Sequence, residues 1–411
     1  MKYLRKFDSV SDMETAIASS EIDIIGLAYN NGTPELNITV VVPSDPKTIP
    51  FYIEDVSGSD NTVQITKNNT SAPTLKIEKS TDGTTWESMG TTSTTAITAT
   101  IPANGKLYLR CSATSWSNST RRNSIITTGN SNVGGNIMSL LYGSNFTGNE
   151  TTFPSGSTYT FYSLFSPSTA LINASQLILP ATTLVDYCYN GMLSGCTVLT
   201  TVPELPATTL AQGCYSGMFM GCTSLTAAPE LPATTLAQNC YWSMFQGCTA
   251  LTTAPALPST TLAQGCYQEM FKLCSSLTTA PILPATTLAK TCYMNMFDGC
   301  TSLTTAPALP ATTLDNQCYR EMFNGCTALT TAPELPATTL AQKCYYCMFA
   351  NCNSLNYIKC LATDISATQA TNYWVQNVAS TGTFVKAASM TDWTTGNNGI
   401  PEGWKVQDAA E

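Results

Sequence analysis

LPATTLAQNCYWSMFQGCTALTTAPA, residues Leu231–Ala256, is the clearest copy of a unit that the chain repeats seven times between Leu179 and Lys359. The first cysteine of the unit recurs every 26 residues without a slip, and a second cysteine follows eight residues later. A period in the twenties that carries fixed leucines is typical of a leucine-rich solenoid, in which each unit buries its apolar side only against its neighbours. We therefore expect a stacked, repetitive structure over 179–359.

Each copy is expected to form a short strand, a turn and a short helix. The apolar positions around the two cysteines stand at i, i+1, i+4, i+5 and i+8, the stripe of a short amphipathic helix. In the second copy these positions are Cys214, Tyr215, Met218, Phe219 and Cys222. The positions between them vary and are polar, which predicts a solvent-exposed helix face. A strand is expected near 225–228, and Pro229 should end it because proline cannot donate to a ladder.

Two rows of varying residues are candidate binding surfaces. The residue after the conserved tyrosine forms the candidate partner-binding stripe: Asn190, Ser216, Trp242, Gln268, Met294, Arg320 and Tyr346. Exposed Trp, Met, Arg and Tyr in line are residues that binding patches use, whereas neutral drift at solvent-exposed positions is the alternative explanation. A second candidate stripe of mixed chemistry lies near the end of each copy: Glu204, Glu230, Ala256, Ile282, Ala308 and Glu334.

The seventeen cysteines raise the question of disulfides or zinc. Helical cysteines eight apart would be separated by roughly 12 Å, and neighbouring helices by about 8–10 Å, whereas a disulfide needs Cα atoms within about 7 Å. Zinc favours close CxxC pairs and histidine, and the chain has no histidine. We therefore expect no metal and no cofactor, but a ladder of buried free thiols that act as small apolar side chains. The ladder comprises Cys188, Cys196, Cys214, Cys222, Cys240, Cys248, Cys266, Cys274, Cys292, Cys300, Cys318, Cys326, Cys344 and Cys352.

Three cysteines, Cys111, Cys347 and Cys360, lie outside this ladder. Because Cys347 occupies a varying position that is expected to be exposed, it is the thiol to test for reactivity.

The composition argues against several classes of partner. Of the 411 residues, 11% are charged and the net charge is −9. An acidic chain with few lysines and arginines is a poor ligand for nucleic acid or an anionic membrane. The sequence contains no apolar stretch of signal-peptide or membrane-spanning length. We therefore expect neither a Sec signal nor membrane insertion.

The chain is expected to contain a β-sandwich followed by the solenoid, in a mixed α/β fold with terminal caps. Short alternating runs with Asp82-Gly83 and Asn104-Gly105 turns predict an immunoglobulin-like sandwich. Its strands are expected near 36–42, 62–67, 74–79, 85–88, 96–101 and 106–112. The expected divisions are an attachment leader (1–33), the sandwich (34–130), a linker with a degenerate N-terminal capping repeat (131–178), the seven repeats (179–359) and a C-terminal cap (360–411).

The repeat core reads Met-Phe-x-x-Cys-x-x-Leu, as in Met244–Leu251, and resembles the repeats of BspA-like leucine-rich-repeat proteins. The segments at 78–86, 135–143 and 382–406 are similar to proteins of gut Bacteroidales and their phages. The resemblance covers most of residues 70–411 and implies non-enzymatic binding or scaffolding. BspA-like proteins are associated with adhesion.

Three functions follow as hypotheses. The first is a phage virion- or prophage-associated adhesion protein, whose leader attaches to other virion proteins while the repeats bind a protein or glycan on a cell surface. The second is a bacterial surface adhesin for host matrix or other microbes, exported by an unseen route. The third, a glycan-active enzyme, would need paired carboxylates about 5–10 Å apart. The low Asp and Glu content, the absent histidine and the lack of a nucleophile motif argue against an enzyme. The sequence leaves the ligand and the oligomeric state open.

Overall fold

The computed structural model describes residues 23–28, 37–41, 45–119 and 121–410. The chain divides into two units, Met1–Ile49 and Pro50–Glu411. In the first unit, strand β1 (Asp23–Ala28) pairs antiparallel with strand β2 (Asn37–Val41), and a 3-10 helix follows at Pro46–Thr48. The rest of the predicted leader lies outside the described residues, so its role in attachment stays a prediction.

One strand assigned to the sandwich belongs elsewhere. The run at 36–42 forms β2, but its partner is β1, and the two make a sheet of their own. Alternation of apolar and polar residues identifies a strand without identifying its partner, because pairing depends on the register and burial of distant residues.

Two sheets open the second unit. Their strands are β3 (Tyr52–Asp55), β4 (Asn61–Lys67), β5 (Lys76–Ser80), β6 (Glu87–Thr91), β7 (Ile97–Ile101), β8 (Lys106–Arg110), β9 (Ser117–Asn118), β10 (Arg121–Thr127), β11 (Ser131–Asn136) and β12 (Leu171–Ile178). The strand orders are β7-β4-β10-β9 and β12-β11-β3-β8-β5-β6. Alternate residues of β4 and β8 are buried, and Ile65 and Leu109 from the two sheets belong to one core. Helix α1 (Ser139–Tyr142) and a 3-10 helix (Gly143–Asn145) follow β11.

Strand β12 joins these sheets to the repeats. It runs parallel to β11, and its Asn173 forms a β-bridge with Thr201 in the first repeat. The backbone N–H of Ile125 in β10 also donates to the carbonyl of Leu164, at 2.7 Å. The buried side chains of sheets and repeats form one continuous hydrophobic cluster.

The short helix predicted for each repeat does not form. The segment between the two cysteines is a run of tandem turns, which we call the turn segment, as in residues 213–221. Three residues of each turn segment, four positions apart, have positive φ; in the second copy they are Gly213, Gly217 and Gly221. A right-handed helix cannot contain such left-handed residues. The prediction was wrong because tandem turns with a four-residue period place apolar residues at nearly the same positions as a helix with a 3.6-residue period.

The backbone N–H groups of the turn segment donate two kinds of hydrogen bond in alternation. The N–H of Met218 donates within the repeat, to the carbonyl of Tyr215 three residues back, at 3.2 Å. The N–H of Tyr215 donates to the carbonyl of Cys240 in the next repeat, at 3.0 Å, and the N–H of Phe219 donates to Met244 in the same way. Every second residue therefore binds the following copy, which fixes neighbouring copies in register.

Elsewhere in the unit, neighbouring copies meet through parallel β-bridges of single residues. Thr209 bridges to Thr235 and Thr235 to Thr261, while Thr253 bridges to Thr279 on a second line. Flanking prolines limit these contacts to isolated bridges because proline has no N–H to donate.

The C-terminal region adds further parallel layers to the stack. Strands β13 (Tyr357–Cys360), β14 (Thr383–Lys386) and β15 (Lys405–Asp408) form a parallel sheet. Residues 368–377 of the predicted C-terminal cap form another turn segment. Across the described residues, the molecule consists mainly of strands, bridges and turns in several sheets, with little helix. No helix in the described part of the chain has the length and apolarity needed to cross a bilayer.

Candidate binding surface

The turn segments sort side chains into a buried set and an outward set. In the second copy the two cysteines, Tyr215, Met218 and Phe219 are all at most 1% exposed. The intervening residues make up what we call the turn face, which has three rows; successive members of each row are 26 residues apart. Most members are half-buried, Met220 and Trp242 are exposed, and seven, such as Ser243 and Asn295, are buried. The first row is the predicted stripe, Asn190, Ser216, Trp242, Gln268, Met294, Arg320 and Tyr346. The second row is Gly191, Gly217, Ser243, Glu269, Asn295, Glu321 and Cys347. The third row is Ser194, Met220, Gln246, Lys272, Asp298, Asn324 and Ala350.

Aromatic stacking holds the buried set in register beneath this face. The rings of Tyr215 and Tyr241 are parallel with centroids 6.0 Å apart, and those of Phe219 and Phe245 lie 5.6 Å apart. The same stacking continues along both ladders through the array. Because the backbone beneath is fixed by hydrogen bonds, each outward residue has a defined position in its row.

The members of the predicted stripe differ in exposure. Trp242 is exposed, at 39%, whereas Ser216 is buried, at 6%. The remaining five members are half-buried. The sequence predicted that all three rows lie on one solvent-exposed helix face, but only the first row was predicted to bind a partner.

The middle of the turn face carries a network of charged and polar side chains. The Lys272 ammonium lies 2.9 Å from Asp298, and the Asn295 amide donates to both Asp298 and Glu321, at 3.1 and 3.0 Å. Partial burial opposes the charge on Lys272, but the hydrogen bond and the charge of Asp298 outweigh it and raise the pKa of the lysine. Lys272 therefore stays charged at neutral pH, and its ion pair with Asp298 helps to hold the side chains of the network in place.

An aromatic group lies at the C-terminal end of the turn face. The guanidinium of Arg320 lies over the ring of Tyr346, 5.1 Å from its centroid, and is paired with Glu321 at 3.0 Å. The ring of Tyr346 meets that of Tyr373 edge to face at 6.4 Å, and Tyr373 is 45% exposed. Arginine and tyrosine held next to each other at a surface are typical of the centre of binding patches.

Exposure alone does not explain why the turn face varies. A pair of threonines is exposed in every copy, beginning with Thr182 and Thr183, and it is identical in all seven. The later pairs are 208–209, 234–235, 260–261, 286–287, 312–313 and 338–339. Uniform drift at exposed positions would have changed these threonines as well, although several of them, such as Thr209 and Thr235, also form β-bridges between copies. Variation occurs instead at other positions, among them the turn face and the second stripe.

The second predicted stripe lies on a different surface. Its members are exposed beside the prolines that end each copy, and Ile282 is 82% exposed. Cavities occur on this row next to Glu204, Glu230 and Glu334.

The fourteen ladder cysteines are buried free thiols. The distance expected between neighbouring copies was wrong, since copies joined by direct hydrogen bonds stack about 5 Å apart. Of the other three, Cys111 and Cys360 are buried, and burial raises the pKa of each to about 12. Cys347 is half-buried, and burial and then the charge of Glu321 raise its pKa, which reduces the reactive thiolate.

In the described part of the chain, no three histidine, cysteine, aspartate or glutamate residues are grouped so that they could hold a metal ion. No protein-family model, no curated protein and no solved structure matches this chain.

Proposed function

We propose that this chain is a non-enzymatic adhesion protein that uses the turn face to bind a protein or glycan on a cell surface. The observation that carries the proposal is the contrast between the constant exposed threonines and the varying turn face on one rigid backbone. Fixed backbone positions with changing side chains suit recognition, because the side chains are already held in place before the ligand binds.

We also propose that the repeats form a leucine-rich-repeat solenoid of the BspA-like type, built from turn segments instead of helices. The 26-residue register, the stacked aromatic ladders and the buried leucines support this assignment. In such a solenoid the stability of each copy depends on its neighbours.

A phage virion or prophage product is the favoured setting. All seventeen cysteines are free, and fourteen of them line the core. A chain with so many thiols folds most safely in a reducing compartment, where phage particles assemble, because an oxidising export route would promote non-native disulfides. A bacterial surface adhesin remains the alternative setting for the same turn face.

Cell binding tests the role of the turn face. Fluorescently labelled protein would be titrated on intact gut Bacteroidales cells and on immobilised glycans. The variant Trp242→Ala/Arg320→Ala/Tyr346→Ala should bind at least about tenfold more weakly, since each such residue commonly contributes more than 1 kcal/mol at the centre of an interface. Unchanged binding by this variant would rule the turn face out.

The control is Thr234→Ala/Thr260→Ala/Thr286→Ala, which changes three exposed threonines of the constant pairs. It should bind like the wild-type protein.

Mass spectrometry of density-purified phage particles distinguishes the phage setting from the bacterial one. Stoichiometric peptides would support the virion, whereas recovery only from the envelope of non-induced cells would support the bacterial adhesin.

A further inference from the structure

A groove lined by prolines and alanines runs along the start of the array, on the surface of the second stripe. One cavity of about 630 Å³ extends over the first and second copies, with Pro203 and Pro229 in its lining. A second cavity of about 400 Å³ continues over the second and third copies. The two share Ala228, Pro229 and Pro232, so they are consecutive parts of one groove.

Two carboxylates line this groove. Glu204 and Glu230 occupy equivalent positions in adjacent copies, so their backbones lie about 5 Å apart. Both side chains are exposed, and no basic side chain of the described residues forms an ion pair with either. A cation in the groove would be attracted by both carboxylates, which favours a cationic ligand.

At the other end of the second stripe, an equivalent carboxylate is neutralised by a lysine of the chain itself. Glu334 is the equivalent residue in the sixth copy, and the ammonium of Lys359 lies 3.1 Å from it. Lys359 stands where the earlier copies have the groove proline, such as Pro255. The first copies therefore keep the carboxylates and the apolar lining but lack the lysine.

We propose that this groove binds an extended segment of a partner protein that carries lysine or arginine among apolar residues. The apolar side chains of the segment contact the prolines and alanines, and its cationic group takes the position next to Glu204 and Glu230 that Lys359 takes next to Glu334. An extended segment fits because the groove follows the copies, which repeat at about 5 Å along the array. The groove is separate from the turn face, so the protein can hold a partner chain here while the turn face binds its cell-surface ligand.

A labelled peptide probe tests the proposal by fluorescence anisotropy. The probe is Pro-Leu-Lys-Pro-Leu-Lys-Pro, and a matched peptide has glutamine in place of both lysines. Wild-type protein should prefer the lysine peptide, and its affinity should fall as salt rises. The double variant Glu204→Gln/Glu230→Gln should bind about tenfold more weakly, because two exposed ion pairs contribute up to about 1 kcal/mol each.

Two further variants identify the site. Pro255→Lys places a lysine beside Glu230, as Lys359 lies beside Glu334, and should weaken binding of the probe by occupying the groove. Glu334→Gln should leave binding unchanged. The proposal is overturned if wild-type protein does not bind the lysine peptide, if it binds both peptides equally, or if the double variant binds as well as the wild type. The turn-face variant should bind the probe normally, so failure of one proposal is distinguishable from failure of the other.

Discussion

Single residues in the left-handed region set the path of every turn segment. The positions with positive φ are occupied by glycine in some copies and by larger residues in others, including Leu273 (φ 62°) and the β-branched Thr291 (φ 54°). A side chain in this region is strained by roughly 1–2 kcal/mol. Such residues are tolerated because hydrogen bonds to both neighbouring copies fix the backbone around them.

Replacing Thr291 with glycine should therefore stabilise the protein. The strain energy relieved at φ 54° is larger than the free-energy cost of the extra entropy that glycine has in the unfolded chain. We therefore expect the free energy of unfolding to rise by up to about 1 kcal/mol. Urea unfolding followed by circular dichroism measures the difference. Thr304→Gly, at an exposed threonine without positive φ, should instead destabilise. A Thr291→Gly variant no more stable than wild type would contradict the strain argument.

The stability of the folded turn segments depends on the buried ladder thiols being uncharged. Burial raises the pKa of ladder thiols such as Cys266 and Cys352 to about 12, whereas a thiol in an unfolded chain titrates near about 8.5. The folded state thus keeps protons that the unfolded state loses. This stabilising effect is fully present below about pH 8.5 and is lost as the pH rises through the folded pKa values.

Stability should consequently fall steeply in alkali. Above about pH 9, each ladder thiol should remove up to about 1.4 kcal/mol per pH unit from the free energy of unfolding. The melting temperature measured from pH 7 to pH 11 checks this. Cys266→Ala, with one thiol fewer, should show a shallower decline at equal ionic strength. A melting temperature that stays level up to pH 11 would show that the thiols do not control alkaline stability.

In the molecule as a whole, every second N–H group of each turn segment donates to a carbonyl of the following copy. The two ends of the array therefore expose different backbone groups. The first layer presents unpaired carbonyls, and the sheets cover them: the N–H of Trp116 donates to Thr160 at 2.9 Å, and the N–H of Ile125 donates to Leu164. The last layer presents N–H groups, and the N–H of Tyr373 donates to the side-chain oxygen of Asn398 at 2.7 Å. Both ends are thereby closed against further stacking.

Removal of the two sheets should leave the repeats unstable. A fragment of residues 157–411 would expose the carbonyls of the first layer and the buried side chain of Phe165. In the whole protein the ring of Phe165 packs against that of Phe51, with ring centroids 5.9 Å apart. We expect it to aggregate in size-exclusion chromatography. Residues 50–411 should unfold in one calorimetric transition because they share a single core. Two well-separated transitions, or a monomeric and fully folded fragment, would contradict this account.

Part of the turn segment could have been predicted. Gly213, Gly217 and Gly221 recur four residues apart inside a segment interpreted as a helix. Glycine is unfavourable within helices and is common where φ is positive, so this spacing favoured tandem turns. In later copies Glu269, Thr291 and Leu273 take the same conformation, and nothing in those residues indicates it.

The sequence by itself determined the repeat, its boundaries and its buried residues, because a strict 26-residue period leaves only in-register stacking to bury the apolar side of each copy. Tertiary structure decided the rest. Hydrogen bonds between copies selected turns over helices and aligned the three rows of the turn face. They also placed Glu204 and Glu230 along one groove, whereas, among the described residues, Glu334 of the same row is paired with Lys359. These outcomes depend on contacts between residues about 25 positions apart, and local propensity carries no information about such contacts.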